Sequence, residues 1–109
     1  MMSAKLKQHW SFVHLLITTN SAQRLALLKT ITNDQLAVLC EIVLNTLHGQ
    51  LYVPPGTVKS LKRHKALLRG LASHDIRIHR KKALILKNHR LITRLLLTVQ
   101  PLLETYIKS

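Results

Sequence analysis

Acidic residues are scarce in this sequence. Four Asp and Glu stand against 17 Lys and Arg in 109 residues, which gives a formal charge of +13. Self-repulsion on this scale destabilises a compact chain unless an anionic partner or salt offsets it. The charge therefore predicts an anionic partner, with nucleic acid as the first candidate, an anionic membrane as the second and an acidic protein as the third.

Motifs of catalysis are missing as well. The four acids lie far apart and share no motif, and the sequence has no glycine-rich phosphate loop, HExxH or GxSxG pattern. We therefore expect that the protein is not an enzyme and that it needs no cofactor.

The single cysteine, Cys40, excludes an intramolecular disulfide and a cysteine-based zinc site. It lies on the apolar stripe of a predicted helix, which favours a core residue over a nucleophile. His9 and His14 are five residues apart, so they do not share a helical face as ligands at i and i+4 would. Most other histidines stand among Lys and Arg, which repel a divalent cation, and no metal site is expected.

Glycine and proline number only three each, so no flexible linker divides the chain, and residues 1–109 are predicted to form one helical domain. No apolar run reaches the ~18 residues that cross a bilayer. Binding to a membrane surface needs an amphipathic helix that is free to insert, and the apolar faces here are expected in a common core, so a membrane is an unlikely partner despite the charge. The N-terminal MMSAKLKQHW lacks an apolar region before a small-residue cleavage site, which predicts an intracellular rather than a secreted protein.

Leucine, isoleucine and valine recur at helical spacing, and no segment keeps a period of two. The sequence therefore predicts an all-α fold, a compact bundle of about five to six short helices with no sheet. The predicted helices cover about 3–19 and 21–30, the segment between the cap at 32–34 and Gly49, the segment from Thr57 to a break at 73–75, then 78–87, and the segment after a weak break at 88–89.

Several details of these helices are predicted from single residues. Thr57 is an expected N-cap after the Pro54-Pro55 loop. Pro101 lies inside the last helical pattern, where we expect a kink or a restart with Thr98 as its cap. His14 and His64 are expected at the edge of the core.

The third helix has the cleanest amphipathic pattern, and Asp34 supplies an acidic residue in its first turn. Trp10, the only tryptophan, is expected to anchor the first helix to the core. The predicted buried stripe of the third helix is Leu36, Leu39, Cys40, Val43, Leu44 and Leu47.

The segment Thr57–Arg94, called the basic stretch below, carries 12 of the 17 cationic residues and a single acid, Asp75. Leucine and isoleucine recur through it, so its cations are expected on folded helices and not on a disordered tail. The alternative is that these cations only keep the surface of the domain solvated, but a solvated surface normally carries charges of both signs. The predicted nucleic-acid-binding residues are Lys59, Lys62, Arg63, Lys65, Arg69, Arg77, Arg80, Lys81, Lys82, Lys87, Arg90 and Arg94.

The composition of the basic stretch favours the phosphate backbone over the bases. It contains no glutamine and no Phe, Trp or Tyr, so neither base reading through a Gln cluster nor base stacking is indicated. The predicted function is therefore binding and condensation of double-stranded DNA without sequence choice. Two alternatives stay open: a structural or adaptor protein that docks on an acidic protein surface, and a regulator that reads DNA through one helix in the major groove.

The C-terminal helix carries more leucine than one packing face requires, at 95–97 and at 102–103. The excess predicts a homo-oligomer that forms through this helix. Packing of these leucines within the core of one chain is an alternative of equal weight.

The order of these segments resembles a known group of proteins. A leucine-rich helix ends in CEIVLNTLHGQLYVPP, then LKRHKALLRGLAS, the basic HRKKALILK and a leucine-rich C-terminus follow. Over about Leu25 to Leu103 this pattern is similar to small basic helical proteins encoded by the Maverick/Polinton (adintovirus-like) DNA elements of animals. The chain departs from that pattern at Asn88-His89, where a pair of glycines is expected. The resemblance implies a viral core or nucleoid protein located in the virion and the host nucleus.

Overall fold

The computed structural model describes residues 4–49 and 53–108 of the chain. Within these residues the fold is all-helical, as predicted, and no strand is present. The described segments contain eight helices, somewhat more than expected. They are α1 (Ala4–Gln8), α2 (Trp10–Thr18), α3 (Ser21–Lys29), α4 (Asn33–Leu47), α5 (Pro55–Lys62), α6 (Lys65–Ala72), α7 (Ile78–Lys87) and α8 (His89–Lys108).

Two predicted helices are each divided in two, which raises the count. His9 and His64 adopt φ near −111° with ψ of 16° and 21°, outside the helical range. The His64 N–H donates to the carbonyl of Leu61, three residues back, so the turn tightens there. Because the apolar spacing runs on through both histidines, periodicity alone does not reveal these breaks.

The start of α3 and both ends of α4 follow from local signals. The Asn20 side chain accepts a hydrogen bond from the Gln23 N–H and caps α3. Thr32 and Gln35 form a capping box at the start of α4, with Asp34 in the first turn. Beyond the helix, Gly49 has φ +72°, the left-handed conformation that favours glycine after a helix.

Proline occupies both a start and an interior position in the helices. The prediction that Thr57 caps the fourth helix is wrong, because α5 begins at Pro55 and the Thr57 N–H already donates to the Pro54 carbonyl. Proline suits the first helical position, where its missing N–H costs nothing. Gln50 to Tyr52, the first part of the predicted loop, lie outside the described residues.

Of the kink or restart expected at Pro101, the restart is wrong, because α8 runs unbroken from His89 to Lys108. Thr98 is not a cap, since its hydroxyl donates to the Arg94 carbonyl within the helix. An interior proline costs ~3 kcal/mol of helix stability. Buried side chains on both sides of the proline offset that cost, among them Val99 and Leu103, which have no exposed surface.

The helices share one hydrophobic core. α4 packs against α1, α6 and α7, while α2 packs against α8 and α3 against α7. The largest fully buried side chains come from six of the helices and include Leu6, Leu16, Leu39, Ile42, Leu68, Leu71, Ile85, Leu95, Leu96 and Leu103. Trp10 packs against this core but stays half-buried, and its ring centroid lies 6.1 Å from that of His14.

The buried face of α4 is rotated from the predicted stripe. Leu36, Leu39 and Val43 are buried as predicted, but Cys40, Leu44 and Leu47 are only half-buried. The residues buried in addition are Val38, Ile42 and Asn45. The prediction that His14 and His64 lie at the core edge is wrong, since both are exposed.

Candidate nucleic-acid interface

The cations of the basic stretch are spread over four consecutive helices and the turns between them. Lys59 and Lys62 lie on α5, Lys65 and Arg69 on α6, four residues on α7 and two on α8. α7 packs against both α6 and α8, so the last three of these helices form one continuous body. Ten of the twelve side chains are exposed, and Lys81 and Lys82 are half-buried.

On α7 two of the four cations, Arg80 and Lys87, point away from the core. Arg80 and Lys87 are separated by two helical turns and therefore share one face, about 10 Å apart along the axis. Ile85, which is 1% exposed, lies on the opposite face. The helix thus fixes these two cations outward through the burial of its apolar side.

These twelve cations take little part in holding the fold together. Within the described residues none of them lies within 4.0 Å of a carboxylate, and none donates a side-chain hydrogen bond. Arg24, outside the basic stretch, behaves differently, because its guanidinium donates to the carbonyls of Leu16 and Thr19, each at 3.0 Å. Arg24 therefore has a structural role, whereas the twelve cations of the basic stretch form a charged surface without ion pairs in the described residues.

Three of the four acids lie where they do little to neutralise this surface. Asp34 lies 3.5 Å from Lys5, outside the basic stretch. The Glu104 carboxylate accepts a hydrogen bond from Gln100 on α8. Asp75 is exposed in the turn between α6 and α7, where its N–H donates to the Ser73 hydroxyl. No first turn of α6, α7 or α8 carries an acid, so the cations in these first turns lie at the positive end of the helix dipole without compensation.

Two concave regions bring cations together. The corner between α7 and α8 forms a cleft of ≈ 420 Å³ that includes Lys87 and Arg90. A second cleft of ≈ 400 Å³ between α4 and α6 includes Lys65, Arg69 and also His48. The position of His48 near the basic stretch was not predictable from the sequence, because it depends on how α6 packs on α4.

Residues 4–49 and 53–108 contain no group of three His, Cys, Asp or Glu that would hold a metal ion. Among the described helices none combines the length and the apolar character needed to cross a bilayer.

The fold and this surface define an all-helical basic protein. Comparison with protein families, with curated proteins and with solved structures finds no match to the chain. The similarity to proteins of Maverick/Polinton elements therefore rests on the residue pattern alone.

Proposed function

We propose that this protein binds and condenses double-stranded DNA without sequence preference, through the phosphate backbone, as a viral core or nucleoid-type protein. One observation carries the proposal. Ten exposed cations lie on a helical surface, and neither they nor the two half-buried ones are paired with a carboxylate within the described residues.

Counterion release is the physical basis of such binding. A protein that neutralises several phosphates releases the cations condensed on DNA, and its affinity falls steeply as salt rises. Six to ten phosphate contacts lose about 10³ to 10⁵ in affinity between 50 and 200 mM salt. The ten exposed side chains limit one protein to about ten phosphate contacts, so a loss of affinity of this order is the largest that we expect on one duplex.

Double strands are favoured over single strands because residues 4–49 and 53–108 present no fully exposed Phe, Trp or Tyr as a stacking platform. Phe12 is buried, and Trp10 and Tyr106 are half-buried against the core. Lys7 lies over the Tyr106 ring at 5.5 Å and covers it further. Within this part of the chain, the bases of a single strand would therefore find no exposed Phe, Trp or Tyr ring to stack on.

Binding of a 30-base-pair duplex in increasing salt tests the proposal. We expect a steep fall in affinity with salt and equal affinity for a scrambled duplex. The variant Lys62→Glu/Arg63→Glu should weaken binding and reduce the salt dependence. The matched control is Lys29→Glu/Lys108→Glu, which makes the same change in net charge at exposed positions outside the basic stretch.

The outcomes separate three readings of the surface. An equal loss of DNA affinity in the two double variants would mean that net charge alone attracts DNA and that the basic stretch is not the interface. A strong preference for one sequence would favour a regulator over a condensing protein. Affinity that does not respond to salt would contradict the proposal.

Condensation requires more than attachment. A second assay follows the sedimentation of a long duplex as protein is added, with sedimentation of the protein alone in high salt to establish its oligomeric state. We expect cooperative compaction, and a protein that coats DNA without compacting it would not be a core protein.

A further inference from the structure

The face of α4 that looks toward α6 and α7 is incompletely covered. Cys40, Leu44 and Leu47 are half-buried, although they continue the apolar stripe that begins at the buried Leu36. Apolar side chains on a face between packed helices are normally covered. Here α6 and α7 leave a gap above them.

The gap is a cleft of ≈ 340 Å³ along α4 from Asn33 to Leu44. Its floor includes Leu36, Cys40 and Leu44, and its far wall includes Ala72 and Ile78. Ile78, the first residue of α7, is 49% exposed. The lining is mainly apolar, and this volume lies within the range of ligand sites in proteins.

This cleft adjoins the one at the C-terminal half of α4, because Leu44 and Ala72 line both. Together they form a groove, called the α4 groove below, that follows α4 from Asn33 to His48. At 1.5 Å per residue its length is about 22 Å, which matches about four turns of a second helix.

The rim of the α4 groove is cationic. Lys65 and Arg69 lie on one face of α6, four residues apart, and Lys81 lies across the groove on α7. His48 and His74 extend the rim at the two clefts. Among the described residues that line the groove, Glu41 is the one acid.

We propose that the α4 groove receives an acidic amphipathic helix of about fifteen residues from a partner protein. An amphipathic helix lays its apolar anchors into a groove at a spacing of i, i+3, i+4 and i+7. Leu44 and Leu47 would contact these anchors, while Lys65, Arg69 and Lys81 would pair with Glu or Asp beside them. The proposal does not depend on DNA binding, since it uses the apolar floor.

Other occupants fit the groove less well. A second copy of this chain carries +13 and only four acids, which are scattered over the sequence, so it offers no acidic helix. A duplex would meet the cationic rim but has no apolar side chains to cover Leu44 and Leu47.

A synthetic fifteen-residue peptide with leucines at the helical spacing and glutamates beside them is the probe, and a scrambled peptide of the same composition is its control. Binding is followed by fluorescence anisotropy. Cys40, the only cysteine, reports occupancy of the groove by its rate of alkylation, measured at alkaline pH because burial raises the pKa of this thiol. At ten times the Kd the peptide should slow alkylation about tenfold.

Two variants with matched controls separate the floor from the rim. Leu44→Gln should weaken binding about tenfold, whereas Leu97→Gln, at a 51% exposed leucine on α8, should not. Arg69→Glu should weaken binding and reduce its salt dependence, whereas Lys29→Glu should change it little.

Equal binding of the scrambled peptide, or binding that ignores Leu44→Gln, would overturn the proposal. An unchanged alkylation rate of Cys40 in the wild-type protein with the peptide bound would overturn it as well. This test uses only the wild-type protein, so it does not depend on the folding of a variant. A duplex that protects Cys40 as well as the peptide does would assign the groove to nucleic acid and overturn the proposal too.

Discussion

Thr32 and Gln35 satisfy each other's backbone at the start of α4. The Gln35 N–H donates to Thr32 Oγ1 at 3.1 Å, and the Thr32 N–H donates to Gln35 Oε1 at 3.0 Å. Because α4 packs against three other helices, the stability of its first turn affects the stability of the whole fold.

Thr32→Ala should lower the free energy of unfolding by about 1 kcal/mol, because it removes the acceptor for the Gln35 N–H. Urea denaturation at fixed salt measures the loss. Thr18→Ala is the control, since its exposed hydroxyl bonds only the His14 carbonyl within the same helix. Equal effects of the two substitutions would contradict the capping role.

Arg24→Ala should destabilise the protein by about 1.5 to 3 kcal/mol, the range for hydrogen bonds to a charged group. The guanidinium joins α3 to the end of α2 through the carbonyls of Leu16 and Thr19. Thermal unfolding with Lys29→Ala as the exposed control tests this. DNA affinity should fall little in either variant, because neither residue belongs to the basic stretch.

Pro101→Ala should raise stability by up to about 3 kcal/mol, because alanine restores a backbone donor inside an unbroken helix. Pro54→Ala is the control at an exposed proline before α5, where the substitution should leave stability unchanged or lower it slightly. A loss of stability in Pro101→Ala would show that the proline ring makes a packing contribution larger than the backbone cost.

Salt should stabilise the free protein. The Debye length falls from about 10 Å at 0.1 M to about 3 Å at 1 M, which screens repulsion among the unpaired cations. We expect the Tm to rise by several degrees in NaCl, and by less in Lys62→Glu/Arg63→Glu. A Tm independent of salt in the wild-type protein would mean that the repulsion is negligible.

Alkaline pH should weaken the fold through Cys40. Burial raises the pKa of this thiol, and the nearby Lys81 ammonium lowers it by a smaller amount. The unfolded chain therefore ionises first, so the stability contribution is complete below about pH 8.5 and is lost as pH rises through the folded pKa. The free energy of unfolding should fall more steeply above that pH in the wild type than in Cys40→Ala.

Local chemistry made much of the fold predictable. Asn20 and Thr32 supply caps, Gly49 supplies the left-handed turn, and the bounds of α7 are those predicted. The breaks at His9 and His64 were not predictable, because the apolar spacing continues through them. The passage of α8 through Pro101 depends on side chains that other helices bury.

The candidate site also has a part that was predictable from the sequence and a part that was not. The exposure of ten of the twelve cations was predictable from their charge, since a charged head group is costly to take out of water. The α4 groove was not predictable, because the stripe that contains Cys40 and Leu44 looks fully buried from spacing alone. Only the orientation of α6 and α7 leaves it partly open, and that orientation also brings His48 beside Lys65 and Arg69.

The absence of internal partners for the cations has an evolutionary consequence. Since the twelve side chains make no ion pair and donate no hydrogen bond within the described residues, loss of any exposed one leaves the core intact. Selection for folding therefore acts weakly on their positions. Among descendants of this chain, lysines and arginines should shift freely along these helices while their total number and the leucines beneath them are retained.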